Sequence, residues 1–194
     1  MSQLRSLVLA SASPRRAELL TRIGVEFIVR PADLDETALA DEQPEALVTR
    51  LAADKAKAAA VSHTDSEGSV LLASDTVVVL DNKALGKPAD FADAAAMLGA
   101  LSDRTHQVMT AVSLLDGVRQ KNICVTTQVH FARLSNEQIA RYWATGEPAD
   151  KAGAYGIQGI AGQFVKSIEG SYSAVVGLPL YETVQLLQEF GVIE

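Results

Sequence analysis

A chain of 194 residues, 48% hydrophobic and 21% charged, has an ordinary globular composition. One compact domain over residues 1–194 is the default at this length, and two lobes around a cleft also fit. The formal net charge of −7 argues against general affinity for nucleic-acid backbone, so a phosphorylated ligand needs a local gathering of basic residues. No stretch approaches the roughly 20 apolar residues that span a bilayer. The N-terminal Met1-Ser2-Gln3-Leu4-Arg5-Ser6 lacks a secretory pattern, and the one cysteine, Cys124, has no partner for an internal disulfide. A soluble cytoplasmic protein is expected, with no membrane and no stable nucleic-acid partner.

In chain order, residues 7–10 form a short apolar run that predicts a buried strand, and residues 11–13 a turn. Residues 14–23 predict a helix closed by Gly24, and 25–29 a second strand. Pro44 opens a long helix to about residue 61, a polar loop covers 63–69, and 70–80 is a long apolar run broken by Ser74-Asp75-Thr76. A helix follows over 91–101. Residues 108–115 and 123–131 are rich in β-branched side chains and flank Asp116-Gly117, a hairpin signal. Helices over 136–144 and 180–190 bracket a glycine-rich segment, 153–177. Strands alternating with helices predict an α/β class, and the hairpin makes the central sheet mixed, with helices flanking it.

Three places break this pattern. In Ser11-Ala12-Ser13-Pro14-Arg15-Arg16, Ser13 suits an N-cap and Pro14 the first helical position. Arg15 and Arg16 then fall in the first turn, where a cation is unfavourable by roughly 0.3–1 kcal/mol. A bound anion reverses that sign, because helix amides and guanidinium forks both suit phosphate oxygens. Solvated surface arginines are the bland alternative. Lys55 interrupts the apolar stripe Val48, Leu51, Ala52, Ala59, while Lys57 points the other way. An inward lysine needs a partner or ligand, unless it snorkels at the core edge. Asp75 places a carboxylate between Val70-Leu71-Leu72-Ala73 and Val77-Val78-Val79-Leu80. Such a group is paired, metal-bound or catalytic, the structural alternative being a bulge cap or a lysine pair.

Asp33, Asp35 and Glu36 form an acidic cluster of hard oxygen donors suited to magnesium or manganese. Lys87 stands in the turn Gly86-Lys87-Pro88, within reach of the same cleft. His63, His106 and His130 lack metal-ligand spacing, and Cys124 reads as a strand residue rather than a nucleophile.

Taken together, the segments resemble the Maf family of nucleotide pyrophosphatases. The resemblance rests on 9–16 (Leu-Ala-Ser-Ala-Ser-Pro-Arg-Arg), Asp35-Glu36, the stretch 50–56, Ser74-Asp75-Thr76-Val77, Gly86-Lys87-Pro88, 150–159, Gly170-Ser171-Tyr172 and 175–179, in the family's order over nearly the whole chain. It implies an elongated α/β fold with a central cleft, similar to the inosine triphosphate pyrophosphatase fold. It also implies cleavage between the α and β phosphates of a nucleoside triphosphate with a divalent metal, Mg2+ or Mn2+. By motif, Asp75 is implied as proton acceptor and, with Glu36, as a metal ligand, Glu36 as a metal- or water-positioning carboxylate, and Ser11, Arg15, Arg16, Lys55 and Lys87 as substrate-binding groups. Arg15, Thr76 and Gln158 stand at the specificity positions and resemble the dTTP/UTP branch rather than the branch acting on 7-methyl-GTP. Homodimerisation and a link to the control of cell division are further family expectations.

Two rivals stand beside this. Asp33-Leu34-Asp35-Glu36-Thr37 matches the D-x-D-x-T pattern of haloacid-dehalogenase-like phosphatases, although Arg30-Pro31-Ala32 separates it from the preceding apolar run. A non-catalytic nucleotide- or nucleic-acid-binding regulator of cell division is the other, and it leaves a carboxylate inside an apolar strand without a purpose.

Overall fold

The computed structural model describes residues 4–62, 68–117 and 119–194. His63 and most of the expected 63–69 loop lie outside the described residues. Within them runs a mixed sheet of seven strands: β1 (Leu7–Leu9), β2 (Ile28–Val29), β3 (Val70–Leu80), β4 (Lys83–Leu85), β5 (Thr105–Asp116), β6 (Arg119–Phe131) and β7 (Val165–Glu169). Their order is β2-β1-β3-β5-β6-β7, with β4 also on β3. The first three are parallel to one another and all other pairings are antiparallel. The helices are α1 (Pro14–Arg22), α2 (Pro44–Ser62), α3 (Phe91–Leu101), α4 (Asn136–Trp143), α5 (Tyr172–Val176) and α6 (Leu180–Glu189). The chain is a mixed α/β protein, as the alternation of patterns predicts.

Local chemistry sets most boundaries. The Asp90 side chain caps α3 by accepting from the Asp93 amide at 2.9 Å, and Ser135 with Gln138 closes a capping box on α4. The hairpin of β5 and β6 turns at Asp116-Gly117, where Gly117 has a φ of 84°. The expected strand over 25–29 shrinks to two residues. Val25 instead completes the end of α1, its amide bonded to the Leu20 carbonyl and its side chain buried in the core. The glycine-rich segment contains more order than its composition suggests, namely two short 3-10 turns (Ala152–Ala154, which begins one residue before it, and Ile160–Phe164), β7 and α5.

β3 is the spine of the sheet. Along one edge it pairs with β5 from Leu71↔Leu115 to Val79↔Gln107. The other edge is shared: β1 takes residues 70–72 and β4 takes 78–80. Among the described residues no strand covers 73–77 on that side, which leaves a notch in the sheet. The last bond before it is Ala10 N–H to the Leu72 carbonyl, after which the chain turns into α1.

Strand alternation sorts the core around this notch. On one face, Leu71 and Ala73 pack with Ala56 and Ala59 of α2, while Val77 and Val79 pack with Leu47, Val48, Leu51 and Ala52. On the other, Leu72 joins α1 and α6 through Leu20, Leu186 and Leu187, and Val78 and Leu80 join α3 and α4 through Leu98, Leu101 and Tyr142. The break in apolar character at Ser74-Asp75-Thr76 therefore falls between two clusters on both faces at once.

Candidate active site

Asp75 is 8% exposed and shares the α2 face with Ala73 and Val77, where its cross-strand neighbour is the small Ala111. The Lys55 ammonium, projecting inward from α2, donates to Asp75 Oδ1 at 2.6 Å and meets Glu36 Oε1 at 2.6 Å. The three side chains keep 11% (Asp75), 13% (Lys55) and 50% (Glu36) of their surface in contact with solvent. The loop bearing Glu36 is itself braced. Arg50 donates to both carboxylate oxygens of Glu42 and to the Thr37 carbonyl, and Glu42 accepts the Leu39 amide.

Environment drives the two carboxylates apart. Burial raises the Asp75 carboxyl above its ordinary value, Glu36 adds repulsion, and Lys55 and Arg16 oppose the rise without cancelling it. Glu36 also feels burial, but the hydrogen bond and charge of Lys55, then Lys87 and Arg16, leave it below the ordinary carboxylate value. One group is thus a stronger base than a free aspartate, and the other is firmly ionised.

The opposite face is built on Arg16. Pro14 stands at the start of α1 and no acidic residue occupies its first turn. Ser13 takes the N-cap position, but its side chain makes no capping bond; its amide donates instead to Ser11 Oγ at 3.2 Å. Arg16 donates through Nη1 to the same Ser11 Oγ (3.1 Å), through Nε to the Gly177 carbonyl (2.9 Å) and through Nη2 to Thr76 Oγ1 (3.3 Å). Thr110 Oγ1 lies 3.0 Å from Thr76 Oγ1 and gives its own hydrogen to the Ala174 carbonyl at 2.7 Å. Thr76 must then donate to Thr110, so its hydroxyl hydrogen is committed inward and its oxygen receives Arg16. Ser74 Oγ adds a second donor to the Gly177 carbonyl at 3.0 Å. Every fixed partner of Arg16 is neutral. Burial and the neighbouring charge of Arg15 pull its guanidinium below the ordinary value, against Asp75 and Glu36, yet arginine stays protonated in proteins.

These two faces meet at the notch, where a cavity of about 1020 Å³ opens. Ser11, Arg15, Arg16, Glu36, Lys55, Asp75, Thr76, Lys87 and Gln158 all line it. Asp33 reaches its rim as an exposed side chain, while Asp35 folds onto its own loop through Thr37. His106 lies outside this lining, buried with Nε2 2.7 Å from the Tyr155 hydroxyl and lowered by burial to about 4. Cys124 is half-buried on β6, and burial raises its thiol to about 11, which suits a packing residue. Among the described residues, no three His, Cys, Asp or Glu side chains gather as a metal cluster. The donors able to hold a metal at the notch are Glu36 and Asp75, whose oxygens already converge on one cationic atom. Two carboxylates completed by phosphate oxygens and water form a donor set that suits magnesium or manganese. No helix among the described residues is long and apolar enough to cross a membrane.

Residues 6–190 match the family model described as Maf-like protein. The chain belongs to the Maf family. Relatives of this Maf chain cover nearly all of it. A dTTP/UTP pyrophosphatase of Vibrio parahaemolyticus serotype O3:K6 is 54% identical over 191 residues, which are 98% of this chain and 100% of that one. Another of the same name, from Pseudoalteromonas atlantica, is 55% identical over 186 residues, 95% and 97% of the two chains. A third, from Symbiobacterium thermophilum, is 51% identical over 188 residues, 97% and 95%. Among solved structures, a nucleoside-triphosphatase / dITP/XTP pyrophosphatase of Mycobacterium abscessus is similar at a TM-score of 0.41 and 17% identity, over 66% of this chain and 74% of that one. That likeness is too slight to carry a fold relation.

Several residues of the cleft were not singled out by the sequence. Ser74, Thr110 and the Gly177 carbonyl fix Arg16, and Asp150 with its ion-paired neighbour Lys151 also lines the cavity. Ser74, Gly177, Asp150 and Lys151 stand within the motif segments that carry the family resemblance but were given no role there, and Thr110 had only the signal of a polar residue within a strand pattern. Gly153, with a φ of 66°, lets the backbone approach β3, since a Cβ there would stand 2.9 Å from the Val78 side chain.

Proposed function

We propose that this Maf chain is a nucleotide pyrophosphatase that hydrolyses dTTP and UTP to the monophosphate and pyrophosphate. The observation that carries it is the buried Asp75 carboxylate, raised in basicity and held at the mouth of a notch that Arg16, Lys55 and Lys87 make locally positive within an acidic protein. The names borne by relatives that are more than half identical over nearly the whole chain support the same substrates.

In this mechanism Asp75 accepts a proton from a water molecule as its oxygen bonds to the α phosphorus. The bond from that phosphorus to the α–β bridging oxygen breaks, and pyrophosphate leaves with the bridging oxygen. Raised basicity suits Asp75 to this task. Arg16, whose fixed partners are all neutral, presents its remaining N–H groups and its uncompensated charge to the phosphate chain, and Arg15 and Lys87 extend the same field. Lys55 opposes the rise that burial imposes on the Asp75 carboxyl and lines the same cavity, where its ammonium adds to the positive field. Glu36, with Asp75 beside it, would hold a divalent cation, which when bound neutralises charge on phosphate oxygens. Gln158, exposed at the cavity, offers both a donor and an acceptor to a pyrimidine edge.

A nucleotide panel assayed for pyrophosphate and for inorganic phosphate, with Mg2+ and with Mn2+, tests the proposal. Pyrophosphate from dTTP and UTP is the expected product. Inorganic phosphate alone would instead favour the D-x-D-x-T phosphatase pattern at Asp33.

A further inference from the structure

The loop that carries Gln158 is built around a carboxylate that the proposed chemistry does not use. Glu147 opens the first 3-10 turn after α4 (Glu147–Asp150) and lines the cavity behind that loop. Its Oε1 accepts the Tyr142 hydroxyl at 2.8 Å and the Ala161 amide at 3.3 Å, and its Oε2 accepts the Ile160 amide at 2.9 Å. The Tyr142 oxygen in turn accepts the Gly156 amide at 3.3 Å. Both ends of the segment 156–161 are therefore tied to one Tyr142–Glu147 pair, with Gln158 between the ties.

The fit is close. A Cβ on Gly159 would overlap the Glu147 carboxylate, so the glycine lets the chain pass over that group without displacing it. Tyr142 is 2% exposed at the end of α4, with its ring edge-on to Phe164 at 5.3 Å between centroids, so the clamp is anchored in the core. Burial raises the Glu147 carboxyl, but the bonds from Ile160, Tyr142 and Ala161 outweigh it and hold the group below its ordinary value. A charged acceptor facing several donors makes a stronger tie than a neutral one.

We infer that Glu147 and Tyr142 are positioning residues that fix the 156–161 loop and thereby set which base Gln158 accepts. The inference rests on the proposed pyrophosphatase activity and on Gln158 as the base-reading group. A displaced reader loses discrimination between bases more than it loses chemistry at the distant phosphate, because the groups on β3 and α1 are held by other bonds. Glu147→Gln keeps the shape but turns an amide N–H toward the Ile160 or Ala161 amide, and Tyr142→Phe removes one tie with little change in volume.

The test compares wild type, Glu147→Gln, Tyr142→Phe, Gln158→Ala and the Glu147→Gln/Gln158→Ala double variant by pyrophosphate release from dTTP, UTP, dCTP and dATP. The expected result is a fall of about tenfold in the kcat/KM ratio of dTTP to dCTP in Glu147→Gln, carried mainly by KM, and a smaller fall in Tyr142→Phe. The double variant should lose little more selectivity than Gln158→Ala, because the two act as one unit. Hydrogen exchange should show amides 156–161 losing protection in Glu147→Gln while the β3 amides keep theirs. Selectivity lost in Gln158→Ala but unchanged in Glu147→Gln overturns the clamp and leaves the substrate proposal standing. Unchanged protection of the loop amides overturns it whatever the kinetics. A wild-type protein that releases no pyrophosphate from any of the four nucleotides overturns the substrate proposal and the selectivity role together.

Discussion

The two faces of β3 solve the same problem, polar groups inside an apolar sheet, in opposite ways. On the α2 face, Asp75 is met by a full charge, Lys55, with a second carboxylate from a half-exposed loop closing the triad. On the other face, Arg16 is met only by hydroxyls and a carbonyl, all of them anchored in strands, a turn or α5. The first arrangement sets one cation between two carboxylates and is titratable, so it suits proton transfer. The second fixes a cation without neutralising it, so its charge is directed at whatever anion enters the notch. A buried charge thus reads differently according to whether its partners are ionic or neutral.

The sharpest way to break the contrast is Asp75→Asn, which keeps shape and removes the base. Turnover should fall by about 10²–10⁴-fold with KM little changed. Near-normal pyrophosphate release would remove Asp75 from the mechanism. Should the cell-division link exist, the same variant shows whether it survives without catalysis.

Arg16→Met probes the neutral cage, and kcat/KM should drop by about 10²–10³-fold. Arg16→Lys should recover little of this, since an ammonium cannot reach Ser11, Thr76 and the Gly177 carbonyl together. Full recovery by lysine would show that only the charge matters.

Lys55→Met acts on titration. Lys55 is the main influence lowering the Asp75 carboxyl, so its loss must raise that group further. The acidic limb of the kcat/KM profile should therefore move to higher pH, and the variant should be least stable relative to wild type at pH values above the raised value, where Asp75 is ionised without its partner. A limb that stays in place would show that another group controls it. The smallest effect belongs to Thr76→Val, which removes one acceptor of Arg16. A loss of about fivefold in kcat/KM, equivalent to about 1 kcal/mol, is expected, with dTTP and dCTP affected alike. A change confined to one base would make Thr76 a reader of the base rather than an anchor.

Much of this arrangement is visible in the linear pattern. Asp75 and Lys55 each interrupt an apolar periodicity, and the two interruptions prove to face each other at 2.6 Å. The lysine pair that a purely structural account of Asp75 would require is present as well, and only its setting in a positively lined cavity distinguishes the two. The roles of Ser74, Thr110 and Gly177 were not legible: Ser74 reads as part of the polar break at Asp75, Gly177 as a glycine within a motif, and Thr110 as a lone hydroxyl in a strand, and none of these says that it holds Arg16. Glu147 was hidden in a turn of ordinary polarity. β7 and α5 escaped because their exposure pattern follows neither a strict strand nor a helix period over a useful length.

By itself the sequence determined which residues resist ordinary burial, and so which segments carry chemistry, because periodicity is a local property of the chain. Only the tertiary structure decided that β1 and β4 cover different parts of one edge of β3 and leave residues 73–77 open between them. That gap depends on strand pairing between segments far apart in sequence, and pairing follows from the packing of whole faces rather than from any one stretch of residues.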